Sequence, residues 1–170
     1  MNSLLFEQGR LRERWQRALG EVNSLLLGGA ESAEAFQLIA RRACEVSGSD
    51  TALILLADES GEALSVAAGA GSRGEEMVGR RITATAPAIA AVVADREPAV
   101  YGDFAEALGS EAGLFGDFGP ADVVPFVSAA GIRGLLLALR NKGGHRFGPE
   151  QLPMLASFAT QAALALELAD

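Results

Sequence analysis

The chain has 170 residues, which is enough to bury one full hydrophobic core. Its content of 49 % hydrophobic and 21 % charged residues is typical of a globular protein. Its net charge of −8 argues against binding to nucleic acid phosphates. The single cysteine, Cys44, excludes an internal disulfide and favours a reducing compartment, so we expect a cytoplasmic location. No apolar stretch approaches the roughly 20 residues of a membrane span, and the N-terminus lacks a signal-peptide pattern, so no membrane partner is expected.

The first predicted element is one long helix over Ser3–Leu27, with mixed charges and few helix breakers. Apolar residues recur in this helix with heptad spacing, in the set Leu4, Leu11, Trp15, Ala18, Val22 and Leu25. A glycine pair ends the pattern, and a second amphipathic helix follows. We therefore interpret residues 1–29 as an N-terminal linker or signalling helix and residues 30–170 as the domain proper.

Two hairpins and a closing helix follow in the predicted order. Thr51–Ala57 has strand composition, and alternating apolar residues after the next turn predict the returning strand. Residues 123–128 and 132–140 form a second predicted hairpin, joined by a turn at residues 129–131. A last helix is predicted from Pro149 to about Ala169.

The segment between the hairpins contains a short helix opened by Pro87 and a long Gly-rich loop over residues 102–120, in which a helical turn is expected near residues 104–108. The element order predicts an α/β (α+β) fold with a central, mostly antiparallel sheet. The N- and C-terminal helices are expected on one face of the sheet, and the loop and short helix on the other.

Three phenylalanines stand out in the long loop: Phe104, Phe115 and Phe118. They are compatible with a pocket for a flat apolar ligand under residues 104–118, or with a lid that fills the same space. Few polar residues are close enough in sequence to orient a ligand, which favours the lid.

The second hairpin and the last helix resemble those of GAF domains. Val-Val-Pro-Phe-Val at residues 123–127 resembles the family's "VP-hydrophobic" strand, and the strand that begins with Gly131 and Gly134 resembles its "G-x-x-G-hydrophobic" partner. Residues 147–152 and 155–165 resemble the closing helix. The resemblance covers about residues 31–169, and the ending is similar to the second GAF domain of DevS/DosS-type actinobacterial sensor histidine kinases.

This resemblance implies a non-catalytic sensory or signal-relay domain of a two-component sensor histidine kinase of the dormancy or hypoxia type. Adjacent GAF and kinase domains of the parent chain are the implied partners. A kinase nucleotide box and a phospho-acceptor segment are missing from these residues, so no catalytic residue is expected. The alternative is a small-molecule-binding GAF domain with its pocket under residues 104–118.

Neither the one histidine nor the one cysteine predicts a cofactor or metal site. In the haem-binding GAF domains that the chain resembles, the proximal histidine precedes the VP strand, whereas residues 102–122 contain none and His145 follows the second hairpin. One histidine cannot build a zinc or iron site of converging ligands. Cys44 has no sequence neighbour typical of a reactive thiol.

Gly69, Gly71 and Gly74 match the bare spacing G-x-G-x-x-G of a phosphate-binding loop. Two glutamates follow directly, and negative charge there opposes phosphate binding. We interpret the segment as a surface loop.

The last helix has more apolar surface than packing on one sheet requires. The spare face could cover residues 4–25 of the same chain, meet another chain, or do both in a bundle. We favour a second copy of the chain as the partner, in a homodimer through the terminal helices. The residues predicted for that interface are the heptad set of the first helix together with Leu155, Ala162 and Leu166.

Overall fold

A computed structural model describes residues 3–128 and 131–169. The helices are α1 (Ser3–Leu27), α2 (Ser32–Ser47), α3 (Gly74–Met77), α4 (Pro87–Asp95), α5 (Phe104–Leu108) and α6 (Gln151–Ala169). The strands are β1 (Thr51–Ala57), β2 (Ala63–Gly71), β3 (Arg81–Thr83), β4 (Ala99–Tyr101), β5 (Phe118–Ser128) and β6 (Gly131–Asn141). Two 3-10 turns, Gly109–Glu111 and Gly113–Asp117, connect α5 to β5.

The six strands form one sheet in the order β3-β2-β1-β6-β5-β4, and each neighbouring pair is antiparallel. Both predicted hairpins are present, as β1–β2 and β5–β6. The sequence-based expectation of a mostly antiparallel sheet is therefore confirmed. The predicted turn at residues 129–130 lies outside the described residues.

The terminal helices cover one face of the sheet. Side chains alternate along each strand, so Ala52 and Ile54 of β1 face α2 and α6 on that side. The helix α1 lies over this layer and contacts both α2 and α6. Apolar residues of all three helices and of the sheet form one buried cluster.

The short helices cover the opposite face. Leu53 and Leu55 of β1 point to that side, where they join residues of α4, α5 and the second 3-10 turn in a separate buried cluster. This division of the helices between the two faces confirms the predicted layer arrangement.

The segment over residues 102–120, predicted as a long loop with a helical turn near residues 104–108, has that turn as α5 and is more structured than expected in the rest. It contains α5 and the 3-10 turns, and β5 begins inside it because Phe118 already pairs with Asn141 of β6. Three of the five glycines that make this segment look irregular in sequence, Gly109, Gly113 and Gly116, lie within the 3-10 turns.

The glycine motif at residues 69–74 has a structural origin. A Cβ on Gly69 would overlap the backbone of Gly74, and Gly71 has a φ of +91°, which only glycine adopts readily. The close approach lets α3 pack directly against β2. The helix that follows has only four residues, so these glycines serve backbone packing and not a phosphate cradle.

One helix among the described residues, α6, is long and apolar enough by length and composition to cross a membrane. In this fold α6 packs on β5, β6 and α2, and 39 % of its most apolar window is buried.

Candidate functional site

The terminal helices α1 and α6 are joined by a buried amide. Gln161 in the middle of α6 donates from Nε2 to the carbonyl oxygen of Leu19 at 2.9 Å and to Asn23 Oδ1 at 3.1 Å. Both acceptors belong to α1, and little of the Gln161 side chain is exposed. Asn23 is exposed, so the contact lies at the margin of the apolar layer, where it fixes the register between the two helices because sliding would break both hydrogen bonds.

A second polar contact joins α1 to α2. Arg42 of α2 forms an ion pair with Glu21 of α1 at 3.0 Å, and Arg14 of α1 donates to the Glu45 carbonyl oxygen at 3.1 Å. These contacts are exposed, so each contributes little to stability. They do set α1 in a defined position over the helix layer.

The residues predicted for the dimer interface need correction. Ala18, Val22, Leu155 and Ala162 are buried in the chain's own core, where they pack among α1, α2, α6 and the sheet. A second copy has no access to these side chains while the fold is intact. The apolar stripe of α1 therefore packs on α2 and α6 of the same chain. Heptad spacing alone does not tell which helices such a stripe covers.

The rest of that set is only partly buried. Leu11, Trp15, Leu25 and Leu166 pack against the edge of the same core, and the Leu4 side chain lies outside the described residues. Trp15 borders a cleft of about 230 Å³ that Met154 also lines, and its indole Nε1 is buried without a hydrogen-bond partner in the described chain.

The three phenylalanines of the predicted pocket are all buried, and they pack on one another in the space beneath the segment. The rings of Phe104 and Phe115 meet edge-on with centroids 5.8 Å apart, and Phe115 and Phe118 are tilted at 6.3 Å. We call residues 104–118 the strap. Its own rings occupy the volume that the alternative hypothesis assigned to a ligand.

The strap is held from outside by Arg73, a residue that no sequence pattern singled out as functional. Arg73 pairs with Glu76 at 2.6 Å and with Asp117, at the end of the strap, at 2.7 Å, and its guanidinium lies 5.6 Å from the Phe118 ring centre. Hydrogen bonds to Glu76 and Asp117 raise the pKa of Arg73. The contact joins the start of α3 to the strap at the end of the sheet where β2 finishes and β5 begins.

A buried carboxyl group, also missed in the sequence, lies on the helix side of the sheet. Asp122 of β5 is 1 % exposed, and its Oδ1 has no hydrogen-bond partner in the described chain. Its register partners are Ala138 of β6 and Val100 of β4, which offer no polar side chain. Burial raises the pKa of Asp122 to about 6, while the charge of Arg140 acts in the opposite direction.

Arg140 joins two loops at the end of β6. It donates to the carbonyl oxygens of Gly48, His145 and Arg146 at 3.3, 2.8 and 3.3 Å, and its guanidinium stacks 4.3 Å from the Phe147 ring centre. These contacts position the connection that leads into α6.

Neither Cys44 nor His145 lies in a reactive or ligating arrangement. Cys44 is buried, its thiol donates to the Ser49 carbonyl oxygen at 3.3 Å, and burial raises its pKa, which disfavours the reactive thiolate. His145 is exposed in the β6–α6 connection. Within residues 3–128 and 131–169, no three His, Cys, Asp or Glu side chains are grouped so that they could hold a metal ion.

Comparison with known proteins agrees with this architecture. The GAF domain family matches residues 31–168. The GAF-B domain of DevS from Mycobacterium smegmatis is 31 % identical in sequence, with a TM-score of 0.68, and the match covers 82 % of this chain and 95 % of that one. A further structure of the second GAF domain of DevS from the same organism has 30 % identity and a TM-score of 0.67, with the same coverage of both chains. The GAF domain of an Acinetobacter phosphoenolpyruvate-protein phosphotransferase has a TM-score of 0.74 over 98 % of this chain and 95 % of that one, but is 16 % identical and shows the fold alone.

The resemblance in the second hairpin and the closing helix thus extends to the whole domain. GAF domains are generally regulatory and non-catalytic. The chain belongs to the GAF domain family, and it is similar in sequence and in fold to the second GAF domain of DevS.

Proposed function

We propose that this GAF domain is a signal-relay module of a two-component sensor histidine kinase, without chemistry of its own. In this proposal α1 receives a displacement from a preceding domain and α6 passes it to a following one, with GAF and kinase domains of the parent chain as neighbours and a cytoplasmic location. The similarity to the second GAF domain of DevS supports the choice of this protein class.

The observation that carries the proposal is the Gln161 contact between α6 and α1. Gln161 is hydrogen-bonded to Leu19 and Asn23, so the two terminal helices move together or break these partly buried hydrogen bonds. Both helices lie on the same face of the sheet, which provides a rigid base. A small shift of one helix is then transmitted to the other as a rotation or a translation.

The strap supports relay over ligand sensing. Its phenylalanines fill the space under residues 104–118 with contacts to one another, so the domain has a complete core there without a ligand. The proposed relay runs on the opposite face and needs no change in the strap.

A helical-phase experiment tests the proposal. The chain is fused after Ala169 to a histidine kinase core, and alanines are added one at a time at the junction, each of which rotates the kinase by about 100°. Relay through α6 predicts an autophosphorylation rate that rises and falls with a period of about 3.6 residues. The same series behind a flexible Gly/Ser tether is the control, and a rate that ignores helical phase in the direct fusions contradicts the proposal.

A further inference from the structure

Two buried oxygen atoms on the helix side of the sheet lack a hydrogen-bond donor. Asp122 of β5 is 1 % exposed, and Gln151, the first residue of α6, is 9 % exposed. Neither Asp122 Oδ1 nor Gln151 Oε1 has a hydrogen-bond partner in the described chain. While the carboxyl group is ionised both oxygens are acceptors, so neither can satisfy the other. Burial in this form lowers the stability of the domain, because each oxygen has lost its contact with water.

The fold places the two residues at the same end of the helix layer. Side chains alternate along β5, so Asp122 lies on the same face of the sheet as Val124, two residues nearer the start of the strand. Leu155 of α6 belongs to the same core cluster as Val124, and Gln151 lies on the same side of α6 as Leu155, one turn earlier. Arg140, on the strand next to β5, holds the connection that leads into α6. The first turn of α6 therefore begins over the part of β5 that contains Asp122.

The charged surroundings of Asp122 leave its carboxyl group without an ion-pair partner. Arg140 of β6 acts on Asp122 through its charge, but Asp122 takes part in none of the ion pairs of the described residues. Tyr101 of β4 packs on the opposite face of the sheet. The other charged or titratable side chains near the start of α6 are exposed to solvent, namely Arg12, Asp50, Lys142, His145, Arg146 and Glu150. Burial therefore dominates and raises the pKa of Asp122 to about 6, against the opposite effect of Arg140.

A proton on Asp122 supplies the missing donor. A protonated carboxyl group has one O–H to donate, and Gln151 Oε1 is an unpaired acceptor, so one proton taken up from solvent satisfies both oxygens. Loss of the proton to solvent leaves both unpaired and adds a buried charge. We propose that Asp122 and Gln151 form a proton-responsive latch, in which the protonated Asp122 donates to Gln151 Oε1 and fixes the first turn of α6 on the sheet, and the ionised Asp122 releases it.

The latch acts on the first turn of α6 because few other polar contacts hold that turn. Gln151 N donates to the Gly148 carbonyl oxygen at 3.1 Å, which links the turn to its own connection and not to the sheet. Acid therefore fixes the start of α6, and a pH near neutrality loosens it. This inference goes beyond the proposed relay, since it concerns the response of the domain itself to protons and is tested in the chain without a kinase.

The pKa of Asp122 in a Gln151 variant tests the latch. The side-chain carboxyl carbon of Asp122 is followed by NMR from pH 4 to pH 8 in the parent and in Gln151→Met. Removing the acceptor of the protonated form should lower the pKa of Asp122 by about 0.5–1. Gln37→Met is the matched control, because Gln37 donates to the Gly69 carbonyl oxygen, away from Asp122, and the pKa of Asp122 should stay that of the parent.

The direction of the change decides between two arrangements of the same residues. If the Gln151 amide group instead donates to the ionised carboxylate, its removal raises the pKa of Asp122. A raised or unchanged pKa in Gln151→Met overturns the latch. Melting temperatures confirm that each variant is folded before its titration is compared.

A second readout follows α6 itself and needs no Gln151 variant. In the parent, the NMR shifts of the backbone amides in the first turn of α6 should change with the same midpoint as the Asp122 carboxyl carbon. In Asp122→Asn, whose amide group can donate to Gln151 Oε1 at every pH, these shifts should stay at the parent's low-pH positions. His145→Gln removes the titratable side chain of the connection and should keep the parent's midpoint. Shifts that still titrate in Asp122→Asn, or that no longer titrate in His145→Gln, overturn the proposal.

Discussion

Asp122 of β5 and Arg140 of β6 lie on the same face of the sheet, two residues apart in the register, because Asp122 stands opposite Ala138. Arg140 donates to three backbone carbonyl oxygens of the flanking loops, while Asp122 Oδ1 has no hydrogen-bond partner in the described chain. The carboxyl group is thus buried near a cation whose Nε and Nη1 groups donate elsewhere.

The stability of the fold should therefore fall as the pH rises from about 4 to about 6. Burial raises the pKa of Asp122 from 3.8 to about 6 in the folded chain, so the folded state holds the proton more tightly than the unfolded one. The contribution of Asp122 to the free energy of unfolding is fully present below the pKa that this group has in the unfolded chain. It is lost as the pH rises through the higher pKa of the folded chain. Its size is about 3 kcal/mol. Urea unfolding at a series of pH values measures it.

The variant Asp122→Asn should remove this part of the pH dependence and should be more stable than the parent near pH 7, because no charge is buried. Asp95→Asn, at an exposed position, is the control and should keep the parent's slope. If Asp122→Asn and the parent show the same slope between pH 4 and 6, the carboxyl group is not held in its protonated form.

The strap should contribute strongly to stability. Phe115 and Phe118 are buried, and replacing either with alanine should lower the free energy of unfolding by about 3–5 kcal/mol, since it removes the ring and leaves a cavity. Val100→Ala removes apolar atoms from an exposed side chain and should cost less than about 0.5 kcal/mol. Denaturant midpoints unchanged in both phenylalanine variants would mean that the strap is not packed on the sheet.

The second glycine of the G-x-x-G pattern should not tolerate a side chain. A Cβ on Gly134 would overlap the Phe126 ring and the Leu55 carbonyl oxygen, so Gly134→Ala should cost at least about 1–3 kcal/mol. Gly116→Ala is the matched control, since a Cβ there meets nothing within 4 Å and the backbone needs no positive φ. Thermal unfolding compares the two variants, and equal melting temperatures would contradict the close packing of β6 on β1 and β5.

The chain should not bind haem. Residues 102–122 contain no histidine, and His145 is exposed in the connection to α6. After mixing with hemin and desalting, no stoichiometric Soret band is expected. A sharp band that disappears in His145→Ala would contradict this prediction.

Local patterns in the sequence predicted much of the fold. Alternation of apolar residues located the returning strand of the first hairpin, two apolar runs around a turn located the second hairpin, and apolar periodicity located α1, α2 and α6. The start of β5 at Phe118 was missed because the ladder partner that makes it a strand, Asn141, is 23 residues away. A tertiary contact of that kind has no local signature.

The candidate surfaces were less predictable than the fold. Heptad spacing in α1 correctly indicated an apolar stripe, but periodicity does not tell whether the stripe covers the same chain or another one, and Val22 proved to be in the chain's own core. Asp122 lies in an otherwise apolar strand, and nothing in its neighbours indicates that its side is buried. The contact of Gln161 with Asn23 joins residues 138 positions apart and depends on how α1 crosses α6.

Hydrogen–deuterium exchange in Gln161→Leu tests most directly whether α1 and α6 act as one unit. Removing the hydrogen bonds of the Gln161 side-chain amide to Leu19 and Asn23 should increase hydrogen–deuterium exchange along both terminal helices. Gln37→Leu is the control, because it removes a comparable hydrogen bond from Gln37 Nε2 to the Gly69 carbonyl oxygen. It should increase exchange in α2 and β2 and leave the exchange of α1 and α6 unchanged. We expect faster exchange in α1 and α6 together for Gln161→Leu; exchange in α1 identical to that of the parent would contradict relay through the terminal helices.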